Sequence, residues 1–159
     1  MPDATNKPSG SCCLNLALIN NCWMLIRLIY RSVSKNPSGS DITDILATSR
    51  RKNHAVGITG ALCHLRGAYM QYLEGDEAAI HHVMAAIIED QRHCGLSVLE
   101  SRFIAARAFP QWSMAMLTWD SEIEATLGPL ADMGLFGISP DNAAPTFRSL
   151  SMTSRWDPL

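Results

Sequence analysis

The order of strand-like and helix-like segments constrains the fold of this chain more than any other sequence feature. Short apolar runs with the spacing of strands are separated by two longer segments whose apolar residues recur at helical spacing. We predict strands over 25–32, 57–65, 68–74, 96–106 and 113–118, and helices over 41–52 and 77–89. The order along the chain is therefore strand, helix, strand, strand, helix, strand, strand.

Two local features support this assignment. Arg66-Gly67 lies between the second and third strands and predicts a hairpin turn. The second helix carries an apolar stripe at helical spacing, formed by Ile80, Val83, Met84, Ile87 and Ile88. The sequence therefore predicts an α/β (α+β) domain: a ferredoxin-like βαββαββ sheet with two helices on one face.

The predicted elements all lie within residues 24–121, which we interpret as one domain. Residues 1–23 are expected to be a weakly ordered extension, because the first strand-like run opens only at Met24. Their apolar run over 12–19 is too short to span a bilayer. Residues 122–159 are expected to be a C-terminal helical extension and tail. The chain is helix-prone from Asp120 to about Gly134, and Pro140, Pro145 and Pro158 predict short or irregular structure beyond it.

Charge and composition exclude several functions. The formal net charge is −2, which predicts no general attraction to nucleic acid. Five cysteines without a C-x-x-C pair indicate free thiols in a reducing cytoplasm. The adjacent His81 and His82 point in different directions on a helix, so no metal site is predicted. Catalytic motifs are missing from the sequence, and little chain follows Asp120, so we predict neither an enzyme nor a fused enzymatic output domain.

A small set of polar and aromatic residues forms the candidate site. Strand alternation places Tyr69, Gln71 and Leu73 on one face of the third strand. A buried glutamine needs hydrogen-bond partners, which Tyr30 and a polar ligand can supply. The residues alone leave a simpler interpretation open, in which Gln71 faces solvent, Asn53 ends the first helix and Trp112 packs in the core.

Six segments together resemble the BLUF family of flavin-binding blue-light sensors. They cover roughly residues 24–120 in the family's order and spacing, and Gln71–Gly75 is the most specific of them. The others are Leu28–Ser32, Ser49–Asn53, Gly57–Leu62, Asp90–His93 and Phe109–Met114.

The resemblance implies a flavin, FAD with FMN as the alternative, held between the two helices with its ring against the sheet. Tyr30 matches the tyrosine that donates an electron and a proton to the excited flavin, and Gln71 matches the glutamine beside it. Asn53 matches the asparagine at the polar edge of the ring, and Ser49 matches an acceptor for the Gln71 amide. Asp90, Arg92 and His93 match polar positions near the cofactor, and Ile58 is expected to contact it. Ile29, Ile45, Val83 and Ile87 are further candidates for the apolar walls, and Trp112 and Met114 match the pair that switches on the last strand.

The function implied is that of a blue-light photoreceptor that signals to a partner protein. Light-driven exchange with Tyr30 would rotate or tautomerise Gln71, and Trp112 and Met114 would carry the change to the C-terminal helices. The resemblance also implies a homodimer. The main alternative is a flavin-free ferredoxin-like interaction module, and a second is a small flavoenzyme, disfavoured because no catalytic acid, base or nucleophile is evident.

Overall fold

The fold is given by a computed structural model that describes residues 24–36, 40–117, 123, 125, 127–128, 133–153 and 156–157. The strands are β1 (Leu25–Ser34), β2 (Thr59–Leu65), β3 (Ala68–Asp76), β4 (His93–Phe103), β5 (Ala115–Leu117) and β6 (Trp156–Asp157). The helices are α1 (Ile42–Ala55), α2 (Glu77–Ile88) and α3 (Pro140–Ser151), and a 3₁₀ helix covers Gly134–Gly137. No helix among these described residues is long and apolar enough to cross a membrane.

The strands form one six-stranded sheet in the order β4-β1-β3-β2-β5-β6. Every neighbouring pair is antiparallel except β2 and β5, which run parallel. The first four strands have the predicted ferredoxin-like connectivity, and β5 is the predicted additional strand. The sixth strand, β6, was not predicted.

The β2–β3 hairpin turns at Arg66-Gly67, as predicted. Both residues have positive φ angles, 48° and 77°. Two consecutive left-handed residues give the turn a backbone twist that matches the twist of the flanking strands. This tight turn fixes the register in which Leu62 lies opposite Gln71.

Strand alternation divides the interior into two cores, one on each face of the sheet. The near face is covered by α1 and α2, as predicted, and its core includes Leu28, Leu46, Leu62, Leu73, Ile80 and Met84. The far face is covered by the C-terminal residues, and its core includes Ile29, Met70, Tyr72, Leu135, Ile138, Phe147 and Leu150. The central strand β3 is therefore buried on both faces, whereas most of the edge strand β4 is exposed.

Some predicted boundaries differ from the structure. Helix α1 continues to Ala55 rather than 52, and Gly57 follows with a φ of 68° that ends the helical run. Strand β4 begins at His93 rather than 96, where it pairs with Ser34 at the end of β1. Strand β5 is limited to the three residues Ala115–Leu117.

The prediction of short or irregular structure around Pro140 and Pro145 was wrong. Pro140 opens the twelve-residue helix α3, a position where its missing N–H costs nothing. The Asn142 side-chain oxygen accepts a hydrogen bond from the Ser139 N–H at 2.7 Å and closes the first turn. Pro145 lies inside the helix, where burial of Phe147 and Leu150 offsets the lost backbone bond. Residues 1–23 and Pro158 lie outside the described residues, as does most of the helix predicted to end near Gly134.

Arg31 attaches the C-terminal residues to β1. Its guanidinium donates hydrogen bonds to the backbone oxygens of Leu135, Phe136 and Ile138, at 3.4, 2.8 and 3.1 Å. It also lies 5.2 Å from the centre of the Phe136 ring, within the range of a cation–π contact. Arg31 directly follows Tyr30, so adjacent residues of β1 contact the cores on opposite faces.

Candidate functional site

A cavity of about 360 Å³ lies between α1 and α2, above the near face of the sheet. This volume is in the range of small-molecule binding sites. Ile45 from α1, Leu62 from β2, and Val83 and Ile87 from α2 supply apolar walls. The polar residues on the cavity wall include seven that the resemblance had predicted, namely Tyr30, Ser49, Asn53, Gln71, Asp90, Arg92 and His93.

Gln71 lies at the floor of this cavity, and the solvent-facing interpretation of it is wrong. Gln71 is 3% exposed, and it lies directly opposite Tyr30 where β3 pairs with β1. The Tyr30 hydroxyl donates a hydrogen bond to Gln71 Oε1 at 2.5 Å. The Gln71 amide nitrogen donates to the sulfur of Met114 at 3.3 Å. The three side chains therefore form one buried series of hydrogen bonds. Met114, and not Ser49 as predicted, accepts the hydrogen bond that the Gln71 amide donates.

Burial determines the protonation state of Tyr30. Removal of the phenol from water raises its pKa well above the ordinary value, and the negative charge of Asp90 adds to the increase. The hydroxyl therefore keeps its proton and can donate a hydrogen bond. In this arrangement it donates to the Gln71 oxygen, while the Gln71 nitrogen donates to Met114.

Asn53 connects the cavity to the segment before β5. It lies in the last turn of α1 rather than past its end, and it is 2% exposed. Its amide nitrogen donates to the Ser113 backbone oxygen at 3.0 Å, and Arg50 donates to the Met114 backbone oxygen at 2.9 Å. Among the described residues, none donates a hydrogen bond to the side-chain oxygen of Asn53. That oxygen remains available for a ligand on the cavity side.

Asp90, Arg92 and His93 form a charged end to the cavity. The Asp90 carboxylate accepts from Arg92 Nε at 2.9 Å and from Nη2 at 2.5 Å. These bonds hold the pKa of Asp90 below its ordinary value and raise the pKa of Arg92. Burial lowers the pKa of His93, and no described residue contacts its buried Nδ1 through a hydrogen bond. A buried nitrogen without a partner is costly, so a polar group of a ligand fits here.

The cavity therefore fits a flavin. A flavin ring is flat and largely apolar with one polar edge, which matches apolar walls on two helices and amides at the floor. Within the described part of the chain, the Asn53 side-chain oxygen and His93 Nδ1 have no hydrogen-bond partner, so they can supply polar contacts to such a ring and its side chain.

Three predicted residues lie elsewhere. Ile58 is buried in the near-face core but does not line the cavity, and Ile29 points to the far face. Trp112 also lies on the far face, where its ring stacks on Phe109 at 5.2 Å. The predicted switching pair is thus split, with Met114 beside Gln71 and Trp112 on the opposite side of the sheet.

Sequence reasoning missed eight residues that line the cavity, and the four of them with polar groups are Thr48, Lys52, Tyr69 and His82. Thr48 and Lys52 are four residues apart on α1, as are Ser49 and Asn53, so all four lie on the same side of the helix. This helical spacing could have identified Thr48 and Lys52 as cavity residues from the sequence. Lys52 and His82 are exposed and therefore lie at the rim of the cavity.

Comparison with known proteins agrees with this geometry. Residues 25–115 match the BLUF family, described as sensors of blue-light using FAD. The chain is 32% identical over 111 residues to the photoactivated adenylate cyclase subunit beta of Euglena gracilis, a match that covers 69% of this chain and 13% of the relative. The chain therefore spans a small part of that curated relative.

Solved structures give the same result. The ground-state structure of BlsA matches with a TM-score of 0.74 and 26% identity, covering 83% of this chain and 91% of the other. The dark-state structure of BlrB, a BLUF protein, matches with a TM-score of 0.69 and 32% identity, covering 80% and 96%. These matches favour the flavin-binding sensor over the flavin-free interaction module, and the chain belongs to the BLUF family of flavin-binding blue-light sensors.

Proposed function

We propose that this chain senses blue light through the hydrogen bonds that join Tyr30, Gln71 and Met114. The observation that carries the proposal is the buried 2.5 Å bond from the Tyr30 hydroxyl to Gln71 Oε1. A buried hydrogen bond between an oxidisable phenol and an amide that can reverse its ends is suited to a reversible switch.

The residues proposed to hold FAD or FMN divide by chemistry. Ile45, Val83 and Ile87 enclose the ring, Asn53 and Gln71 contact its polar edge, and Ser49 lies beside them. Asp90, Arg92 and His93 hold the more polar part of the cofactor. When bound, the flavin supplies absorption of blue light and an excited state that oxidises a nearby side chain.

Tyr30 is the proposed electron donor. Loss of an electron makes its phenol strongly acidic, so the proton moves along the hydrogen bond toward Gln71 Oε1. Return of the electron and proton restores Tyr30, and the cycle consumes no oxidant or reductant. The lasting change is in Gln71, which ends the cycle as a rotated amide or as its other tautomer.

Met114 is the proposed first recipient of this change. Rotation of Gln71 replaces the N–H that now points at the Met114 sulfur with the amide oxygen, and the other tautomer leaves a single N–H on that nitrogen. The backbone oxygens of Ser113 and Met114 are also tied to α1 through Asn53 and Arg50. A displaced Met114 therefore disturbs the segment that leads into β5, and from there the far face of the sheet.

We further propose that the output is contact with a partner protein rather than catalysis by this chain. A homodimer formed through the C-terminal helices is the proposed assembly, and α3 with its exposed outer side chains is available for it. A cytoplasmic location is the proposed setting, supported by the free thiols of Cys63 and Cys94.

Absorption spectroscopy of the purified protein tests the proposal. The protein should be yellow and should show a reversible red shift of the flavin band under blue light, while Tyr30→Phe binds flavin without the shift. A protein that refuses flavin would instead support the interaction module. A yellow protein without any shift, or a normal photocycle in Tyr30→Phe, would contradict the switch.

A further inference from the structure

Trp112 departs from the alternation of the strand that it precedes. Met114 and Met116 both belong to the near-face core, as expected for residues two apart on a strand. Trp112 is two residues before Met114, so continued alternation would place it on the same face. Its indole instead packs in the far-face cluster. The backbone permits this because regular strand structure begins only at Ala115.

A cluster of three aromatic rings in mutual contact accounts for the position of Trp112. Its ring is stacked on Phe109, with 5.2 Å between the ring centres and 15° between the planes. Trp156 packs against it at 5.4 Å and 33°, and Trp156 also lies 6.1 Å from Phe109. Offset contacts of this kind stabilise beyond the area they bury.

Trp156 is itself held by the C-terminal residues. It pairs with Leu117 between strands β5 and β6. Its indole N–H donates to the backbone oxygen of Leu150, in the last turn of α3, at 2.8 Å. The ring that covers Trp112 is therefore positioned from two sides, by the sheet and by α3.

We propose that Trp156 is a positioning residue that retains Trp112 on the far face and thereby leaves the place beside Gln71 to Met114. The proposal rests on the proposed role of Gln71 as the switch. The Trp112 backbone oxygen accepts from the Gly60 N–H of β2 at 2.8 Å, but the regular alternation of β5 begins only at Ala115. In the alternative arrangement, Trp112 would face the near side and take the place of Met114 beside the Gln71 amide. Loss of the Trp156 ring removes one aromatic contact, which corresponds to a change of roughly twofold to tenfold in the ratio of the two arrangements.

Fluorine NMR of protein labelled with 5-fluorotryptophan provides the test. The chain has four tryptophans, so Trp112→Phe assigns the resonance of Trp112. In the wild type this resonance should be the same with and without flavin, because the ring lies across the sheet from the cavity. In Trp156→Ala it should move, and it should shift again when flavin is added. Trp156→Phe keeps a ring and should restore the wild-type behaviour.

A matched control separates positioning from a general loss of packing. Phe147→Leu weakens the same far-face core through the Phe147–Tyr72 contact and should leave the Trp112 resonance in place. If Trp156→Ala does not fold, Trp156→Leu keeps the bulk without the ring and should give the same shift. An unmoved Trp112 resonance in these variants, or an equal shift in Phe147→Leu, would overturn the proposal.

The rate at which illuminated, flavin-loaded protein returns to the dark state provides a second test of the role of Trp156. Trp156→Ala should change the rate by roughly twofold to tenfold, and the additional replacement Trp112→Phe should remove that dependence. A wild type without any photocycle would count against Gln71 as the switch. A normal photocycle with an unmoved Trp112 resonance would count against Trp156 alone.

Discussion

The two faces of the sheet are built from the same strands but have opposite characters. On the near face, Tyr30, Asn53 and Gln71 are buried polar residues around a cavity. On the far face, aromatic and aliphatic side chains fill the interior, with Tyr72 packed edge-on against Phe109 and Phe147. Strand β3 shows the contrast in one step, because Gln71 lies on the near face and its neighbours Met70 and Tyr72 lie on the far face.

This difference teaches how a switch is kept in place within a small domain. A glutamine that can rotate needs open space beside it, whereas the strand that carries it must not move. The far face provides the rigid support. Its buried Glu74 accepts hydrogen bonds from the backbone N–H groups of Ala108 and Phe109, at 2.8 and 2.6 Å, and so fixes the loop before Trp112.

Gln71→Leu should have the largest effect, because it removes the proposed switch of the near face and leaves the far face unchanged. The leucine fills similar space but cannot exchange hydrogen bonds with Tyr30 or Met114, so the light-induced red shift should be lost altogether while flavin remains bound. Absorption spectra in the dark and under blue light measure this. A residual shift of normal size would show that the near face has another switch.

Phe147→Ala tests the far face as a source of stability. Removal of this fully buried ring should lower the free energy of unfolding by about 4 kcal/mol, as is common for phenylalanine in a core. Urea unfolding followed by circular dichroism measures the loss. The amplitude of the red shift should be unchanged in the fraction that stays folded, and a reduced amplitude there would contradict the separation of roles.

Asn53→Ala tests the near face as a source of cofactor affinity. The variant removes a side-chain oxygen available to the ligand and the bond to Ser113. We expect flavin affinity to fall about tenfold, the effect of one or two hydrogen bonds. Fluorescence titration of the apoprotein with flavin checks this, and Arg51→Ala, an exposed position on the same helix outside the cavity lining, is a matched control. Equal affinities of Asn53→Ala and wild type would exclude the contact.

The ion pair of Asp90 and Arg92 should give the smallest effect. Arg92 holds the pKa of Asp90 below its ordinary value. The ion pair therefore stabilises the fold at every pH above the ordinary pKa of an aspartate. This stabilisation is lost as the pH falls through the lowered pKa, because Asp90 then becomes protonated. Both side chains are partly exposed, so Asp90→Asn should cost only about 0.5 kcal/mol at neutral pH. Urea unfolding at neutral and strongly acidic pH should show the difference vanish in acid; a constant difference would assign the cost to something else.

Local pattern was enough to predict the sheet and its two helices. Alternation grouped Gln71 with Tyr69 and Leu73 within β3, and helical stripes identified α1 and α2, because these signals depend on residues close in sequence. Which face Gln71 occupies stayed open until the pairing of β1 with β3 was known. The flavin itself came from the resemblance of the motifs and not from these patterns.

The features that sequence did not predict depend on distant contacts. Helix α3 forms despite Pro145 because the far face of the sheet buries its apolar side, which no local signal records. Trp112 lies opposite to its expected face because Trp156, far along the chain, covers it. Glu74 gave no sign of burial, since its partners are backbone N–H groups of a loop more than thirty residues away.

The attachment through Arg31 has a consequence for divergence among related proteins. All three hydrogen bonds from Arg31 end on backbone oxygens, which every amino acid provides. Substitution of the exposed Phe136 would therefore remove the cation–π contact but leave all three acceptors unchanged, whereas Leu135 and Ile138 are also held by the far-face core. The exposed positions of a C-terminal segment held in this way can change while the segment stays docked on the same light-sensing sheet.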